Sequence, residues 1–243
     1  MEKSSKIYIA GHKGMVGSAI WRALESKGYT NLIGRTSKEL DLRNQQQVQA
    51  FFQTEKPDVV IDAAARVGGI LANNNYPYTF LMENMQIQNN LIQTALDTDV
   101  QKFVFLGSSC IYPKLAPQPL QEECLLTSSL EPTNEWYAIA KISGVKACES
   151  IRKQFNKDFV SLMPTNLYGS NDNFDLSNLN VRKLEIFNRY GLQVYSKTNY
   201  VDEWKGQTNN GDLLPSATYY YAIELENGEP TKTGWIYLIR DNN

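Results

Sequence analysis

Ile7-Tyr8-Ile9-Ala10-Gly11-His12-Lys13-Gly14-Met15-Val16-Gly17 is the stretch that decides the fold. An apolar run, Ile7 to Ala10, enters a G-x-x-G-x-x-G loop, and the loop opens an amphipathic helix from Val16 to Ser26 that stops at Gly28. Glycine at positions 11, 14 and 17 permits a tight turn and a close approach of backbone to a pyrophosphate. The N–H groups of the helix start would then face that charge. A merely structural turn is the competing reading, but the strand-loop-helix setting is what dinucleotide binding requires.

The same alternation continues outward. Leu32-Ile33, Val59 to Ile61, Phe103 to Leu106 and Phe159 to Met163 read as strands; Gln45 to Thr54, Tyr78 to Asp97 and Trp136 to Gln154 read as helices. Each strand is apolar throughout, which argues a parallel sheet covered on both faces. Right-handed crossovers then give an α/β, doubly wound, Rossmann-like domain over residues 1–175. Past about Asn173 the helical periodicity ends. Leu184 to Phe187, Gln193 to Tyr195, Thr218 to Leu225 and Trp235 to Ile239 read as strands, separated by turn signals at Asn188 to Gly191, Asn209 to Gly211 and Asn227-Gly228. Residues 180–243 are expected to form a small all-β sandwich, with Ser170 to Asn180 as the junction.

Composition narrows the chemistry. With 24 basic against 26 acidic side chains, the net charge is -2, which gives no electrostatic case for nucleic acid or an anionic membrane. No apolar run approaches the roughly 18 to 20 residues that span a bilayer. The opening Met1 to Lys6 leaves no room for a signal-peptide core, so a cytoplasmic location is expected. Cys110, Cys124 and Cys148 lie far apart, as reduced thiols do. His12 is the one histidine, which argues against a His-rich metal site or a Ser-His-Asp triad; acid-base work falls to Tyr, Lys, Cys or carboxylates.

After the second strand, the position that grips a free ribose 2'-hydroxyl usually carries an acid. Here Arg35 and Lys38 stand in that region, with Lys13 in the glycine loop, a set that suits a 2'-phosphate and favours NADP over NAD. Ordinary solvated surface charges are the alternative. Asp41 and Leu42 are placed to meet the adenine. Ala63, Ala64 and Ala65, after the third strand, would let the cofactor lie against the backbone.

Tyr137 and Lys141 carry the chemical signal. Their i, i+4 spacing puts both on one helical face, where the lysine ammonium is expected to lower the tyrosine pKa. A chance helical pair is common for the bare motif. Ser108, at the end of the fourth strand, adds a hydroxyl that can bond a substrate carbonyl while the tyrosine protonates it and a nicotinamide delivers hydride.

Gly11 to Gly17, Ala65 to Ile70, Leu106 to Lys114 (with Gly107), Glu131 to Glu135, Tyr137 to Lys141 and Met163 to Gly169 together resemble the GDP-L-fucose synthases, in order and with family-like spacing. These are nucleotide-sugar members of the extended short-chain dehydrogenase/reductases. The resemblance implies that GDP-4-keto-6-deoxy-D-mannose is epimerised at carbons 3 and 5 and reduced at carbon 4 by NADPH. It implies that Tyr137 protonates the carbon-4 oxygen, Lys141 holds the nicotinamide ribose, Ser108 orients the carbonyl and Cys110 is the base of epimerisation. Leu106 and Gly107 would border the cofactor, and Pro164, Thr165, Asn166 and Leu167 would line its nicotinamide end. For Cys110, a buried structural thiol is the alternative. The family tends to dimerise through helices beside the site, so a homodimer is a possibility.

Two features depart from that family. Where it places a histidine as acid partner in epimerisation, counting gives Asn180, and an amide cannot exchange protons near neutral pH. Nothing after residue 180 resembles its substrate domain, so impaired turnover is expected. Instead Leu184 to Gly191, Val194-Tyr195, Trp204 to Gly206, Leu214-Pro215 and Thr218 to Tyr221 resemble the gliding-motility-associated C-terminal domains, type B sorting signals of type IX secretion. A non-enzymatic secretion or surface module is the rival expectation.

Overall fold

The computed structural model describes residues 1–117, 119–165, 167, 181–201, 203–226, 228 and 230–238. The chain divides into two compact units, Met1–Asn173 and Phe174–Asn243.

The first unit runs β1 (Ile7–Ala10), α1 (Met15–Ser26), β2 (Leu32–Ile33), α2 (Gln45–Glu55), β3 (Val59–Asp62), α3 (Ile70–Asn75), α4 (Pro77–Asp97), β4 (Lys102–Leu106), α5 (Glu135–Phe155) and β5 (Asp158–Leu162). All five strands are parallel, in the order β2-β1-β3-β4-β5. The chain leaves β1 toward one side and returns on the other, so a crevice opens between the carboxyl ends of β1 and β3, where such sheets bind ligands.

Burial on both faces explains the uniformly apolar strands. On one face Tyr8, Val60, Phe103, Phe105 and Phe159 pack with Phe52 of α2, Leu91 of α4 and Val145 of α5. Fully buried aromatic and aliphatic side chains of this kind contribute about 1.5–3 kcal/mol each. On the other face Ile7, Ile9, Val59 and Ile61 meet Ile20, Trp21 and Leu24 of α1. Local signals set the helix ends. The Asn44 side chain accepts from the Gln47 N–H to start α2, and Asn156 ends α5 in a left-handed conformation. Helix α3 was not legible in sequence: it is six residues long, and Pro77, which cannot continue a helix, starts α4 immediately after it.

The second unit is an antiparallel sheet of β6 (Val181–Phe187), β7 (Gln193–Tyr200), β8 (Ala217–Leu225) and β9 (Lys232–Leu238), ordered β7-β6-β8-β9. Leu184, Ile186, Tyr195, Tyr219 and Ile223 form its core. Gly191 turns the β6–β7 hairpin at a φ of 76°, which favours glycine. In place of the two layers of a sandwich, the described strands make one sheet. Trp204 and Leu214, from the long connection between β7 and β8, pack on its core. The Trp204 indole is held by donating to the Gln207 carbonyl at 2.8 Å. Strand β6 starts earlier and β7 ends later than their apolar runs suggested, because their ends alternate charged and polar residues on the solvent side.

Candidate active site

The glycine loop runs through the β1/β3 crevice, and at Gly11 and Gly17 it leaves no room for a side chain. Gly11 adopts a φ of +76°, and a Cβ on it would lie 2.7 Å from the Ala63 carbonyl oxygen. A Cβ on Gly17 would lie 2.2 Å from the Gly11 oxygen. The Gly14 N–H donates to the Gly11 carbonyl at 2.9 Å, closing the turn. Gly14 caps α1 with no side-chain acceptor, and no acidic residue stands in the first turn, where Met15 and Val16 are half-buried. A side-chain-free cradle at an amide-rich helix start fits a dinucleotide pyrophosphate.

His12 is wedged beside the loop: its ring centroid is 5.6 Å from that of Trp21, and a Cβ on Gly34 would strike the imidazole. Burial, then the charge of Lys13, pushes its pKa down. Lys13 and Lys38 are exposed, whereas Arg35 is engaged. The Arg35 guanidinium bonds Glu55 at 2.6 Å, donates to the Gly34 carbonyl at 2.9 Å and lies over the Phe51 ring. Sequence reading missed Glu55, which lies twenty residues downstream at the end of α2. Asp41 is clasped by Arg43, whose hydrogen bonds hold its carboxyl below the usual range. The Leu42 carbonyl accepts from Asn90 at 2.8 Å. Ala64 and Ala65 are half-buried beyond β3, and the Ala64 N–H donates to the Asp62 carboxylate at 3.1 Å.

Helix α5 brings the second half of the site over β4. Gly144 permits this, since a Cβ on it would come within 2.4 Å of the Phe105 ring. One turn earlier, Lys141 is 3% exposed, and its ammonium donates to the Leu106 carbonyl at 2.8 Å. Gln88 of α4 fixes the helix there by donating to the Ala140 carbonyl at 2.7 Å and to Ser143 at 2.8 Å. The loop after β4 is held from β5: Gly107 N–H donates to Leu162 at 2.8 Å and Ser109 N–H to Pro164 at 3.0 Å. Ser108 then caps a 3-10 turn, Ser109–Ile111, accepting from the Cys110 N–H at 3.4 Å. That turn packs against α5. Thr165 and Leu167 are exposed beyond β5; Asn166 and Asn180 lie outside the described residues.

The electrostatics differ from the expected tuning of Tyr137. The Lys141 ammonium is 6.0 Å from the Tyr137 ring centroid and is committed to Leu106. Burial, followed by Cys110 and Asp62, pushes the Tyr137 phenol above its ordinary value, so it is protonated at neutral pH. Burial also raises the Cys110 thiol, against the opposing pull of the Ser108 hydrogen bond and Lys141. All three cysteines are free. One further group was missed altogether: Asp62, the last residue of β3, is completely buried behind this cluster.

A parallel sheet with a glycine cradle at its switch point, and with Ser108 and the Tyr137–Lys141 face of α5 at the end of β4, has the architecture of a dinucleotide-binding domain. The chain belongs to the NAD dependent epimerase/dehydratase family, whose profile matches residues 7–188. A second profile, the CHU_C Type IX secretion signal domain, matches residues 158–238. The two overlap across residues 158–188, and within that overlap Val181–Phe187 pairs into the antiparallel sheet. GDP-L-fucose synthase 1 of Arabidopsis thaliana is 59% identical over 180 residues, 74% of this chain and 56% of that protein. The GDP-L-fucose synthase of Escherichia coli K12 is 56% identical over 176 residues, 72% of this chain and 55% of that protein. Among solved structures, the GDP-mannoheptose C4 reductase of Campylobacter jejuni with NADP bound superposes with a TM-score of 0.69 at 43% identity, over 73% of this chain and 56% of that one. The chain therefore spans about half the length of the relatives it matches. Among the described residues, no helix is long and apolar enough to cross a membrane.

Proposed function

We propose that the first unit binds NADPH and carries the reducing half of a GDP-L-fucose synthase-type reaction, acting on the keto group of a GDP-4-keto-6-deoxy sugar. The observation that carries this reading is the Tyr137–Lys141 face of α5, anchored through Lys141 to the Leu106 carbonyl at 2.8 Å beside Ser108 and Cys110. The relatives' names support the GDP-sugar, and the NADP of the Campylobacter jejuni reductase supports the cofactor.

When bound, NADPH supplies a hydride. The chain's own groups do the rest. Ser108 presents a hydroxyl to the substrate carbonyl, and Tyr137, held protonated by burial, gives that oxygen a proton. Lys141 supplies a fixed positive charge beside the developing alkoxide. Arg35, Lys38 and Lys13 would hold the 2'-phosphate, Arg35 exchanging its contact with Glu55 for it, and Asp41 and Leu42 would border the adenine. Cys110 is placed to exchange a proton beside the ketone. Because its thiol is raised by burial, that step needs the lowering influence of Lys141 and Ser108. Reduction is therefore better supported than epimerisation. The compartment that goes with this reading is the cytoplasm.

The test is to incubate the full chain with NADPH and GDP-4-keto-6-deoxy-D-mannose and follow the sugar products. Reduction at carbon 4, lost in Tyr137→Phe with NADPH binding intact, is expected. No reduction by the unaltered chain would end the enzymatic reading. A second reading rests on the CHU_C match over residues 158–238: the four-stranded unit is a secretion or surface module that carries the function, and the first unit is a remnant. That reading expects neither NADPH binding nor turnover.

A further inference from the structure

Asp62 ends β3 in register with Phe105 of β4, so both side chains share the sheet face covered by α4 and α5. The residue is 0% exposed. One carboxylate oxygen accepts from the Ala64 N–H at 3.1 Å, and the other, Oδ2, has no hydrogen-bond partner among the described residues. Lys141 reaches the same place from α5: its ammonium lies 4.6 Å from the Phe105 ring and is bonded to the carbonyl of the next residue, Leu106. Each is thus an ionisable group taken out of water with no opposite charge in ion-pair contact among the described residues. Burial of this kind is tolerated when opposite charges share one low-dielectric region and attract across more than contact distance.

We propose that Asp62 is a positioning residue for the site, a buried counter-charge that keeps Lys141 protonated against the Leu106 carbonyl. The titratable groups that sense the charge of Asp62 are Tyr8 from β1 and Tyr137, Lys141 and Cys148 from α5; Lys141 is the one cation among them. Burial pushes the Lys141 pKa down, and Asp62 is the foremost influence pushing it back up. Reciprocally, burial raises Asp62, and Lys141 is the foremost influence lowering it. Without Asp62, the ammonium would be left alone in a site lined by Phe105, Tyr137 and a protonated thiol. It would then release its proton much nearer to neutrality. The consequence for hydride chemistry rests on the reductase reading above; the charge pairing itself does not.

The experiment uses the full chain, lysine-labelled with ¹³C and ¹⁵N, without cofactor. The Lys141 side-chain signal, assigned by its loss in Lys141→Arg, is followed against pH. In Asp62→Asn, which keeps an acceptor for Ala64, the Lys141 pKa is expected to fall by at least about one unit, a tenfold loss of proton affinity. Asp62→Leu should move it in the same direction. In the unaltered chain the Lys141 signal should also show an inflection where Asp62 titrates, a readout that needs no variant to fold. An unshifted Lys141 in folded Asp62→Asn, or no such inflection in the unaltered chain, would overturn the proposal. A chain that fails to bind NADPH yet shows the coupling would remove the reductase reading alone.

Discussion

Replacing Gly17 by alanine adds one carbon atom at the point where the loop folds back on itself. That Cβ would lie 2.2 Å from the Gly11 carbonyl oxygen, 2.7 Å from the Gly11 carbon and 2.9 Å from the His12 Cα. All three obstacles are backbone, and Gly11 is itself pinned against the Ala63 carbonyl, so no side chain can swing aside. Overpacking costs about 1–3 kcal/mol, and rigid obstacles place this case toward the upper end. Alanine recovers about 1 kcal/mol as the better helix former. If the backbone yields by small shifts that keep the loop's form, the net cost is about 1–2 kcal/mol of stability. If Gly11 and His12 move away instead, the cradle opens and NADPH affinity falls, by tenfold for each 1.4 kcal/mol or so. The assays are a fluorescence titration with NADPH and chemical unfolding followed by the helical circular dichroism signal, since all the described helices lie in the first unit. Gly28→Ala is the comparison. Its Cβ meets nothing within 4 Å but inherits a φ of +80°, so it should lower stability by about 1–2 kcal/mol and leave NADPH affinity unchanged. Gly17→Ala that binds NADPH as the unaltered chain does, and unfolds at the same denaturant concentration, would refute the steric reasoning.

Two further outcomes follow from the charges. Asp62 has a folded pKa raised to about 6 against about 3.9 unfolded, so the folded state binds the extra proton between those values. Stability should fall by about 3 kcal/mol as pH rises from roughly 4 to 6, and Asp62→Asn should lack that fall and be the more stable form at neutral pH; equal pH profiles would contradict it. A carboxylate that costs stability fits a group serving Lys141 rather than the fold. Arg35→Ser should weaken NADPH about tenfold to a hundredfold, the size of a charge-assisted contact, and leave NADH nearly unaffected. Equal losses for both cofactors would show that Arg35 serves Glu55 and the α2 end alone.

The sheet was legible because its evidence is local. Ile7 to Ala10 and Val59 to Ile61 are apolar at every position, and the glycine loop follows its strand without a gap. The site was legible in its identities but not in its partners. Arg35 reads as a cation free to meet phosphate; Glu55 claims it because α2 folds back past β2. Tyr137 and Lys141 read as a coupled pair, but depth within the packed α5–β4 contact decides the tyrosine's protonation. Asp62 directly follows the apolar run Val59 to Ile61, and nothing in the local sequence signals its burial. Its burial depends on α5, more than seventy residues downstream, closing over β3 and β4. The second unit's strands were legible from turn residues. Its single sheet was not, because Trp204 and Leu214 sit in a connection whose packing no periodicity announces.

On the proposed function, the cradle between β1 and β3 and the Lys141 face of α5 hold one nicotinamide cofactor. Fluorescence titration of the full chain with NADPH, set beside NADH and repeated on Gly17→Ala, tests it most directly. Saturation at one NADPH per chain, weaker for NADH and weaker again in the variant, is the predicted result. A chain whose signal never saturates with either cofactor would contradict it.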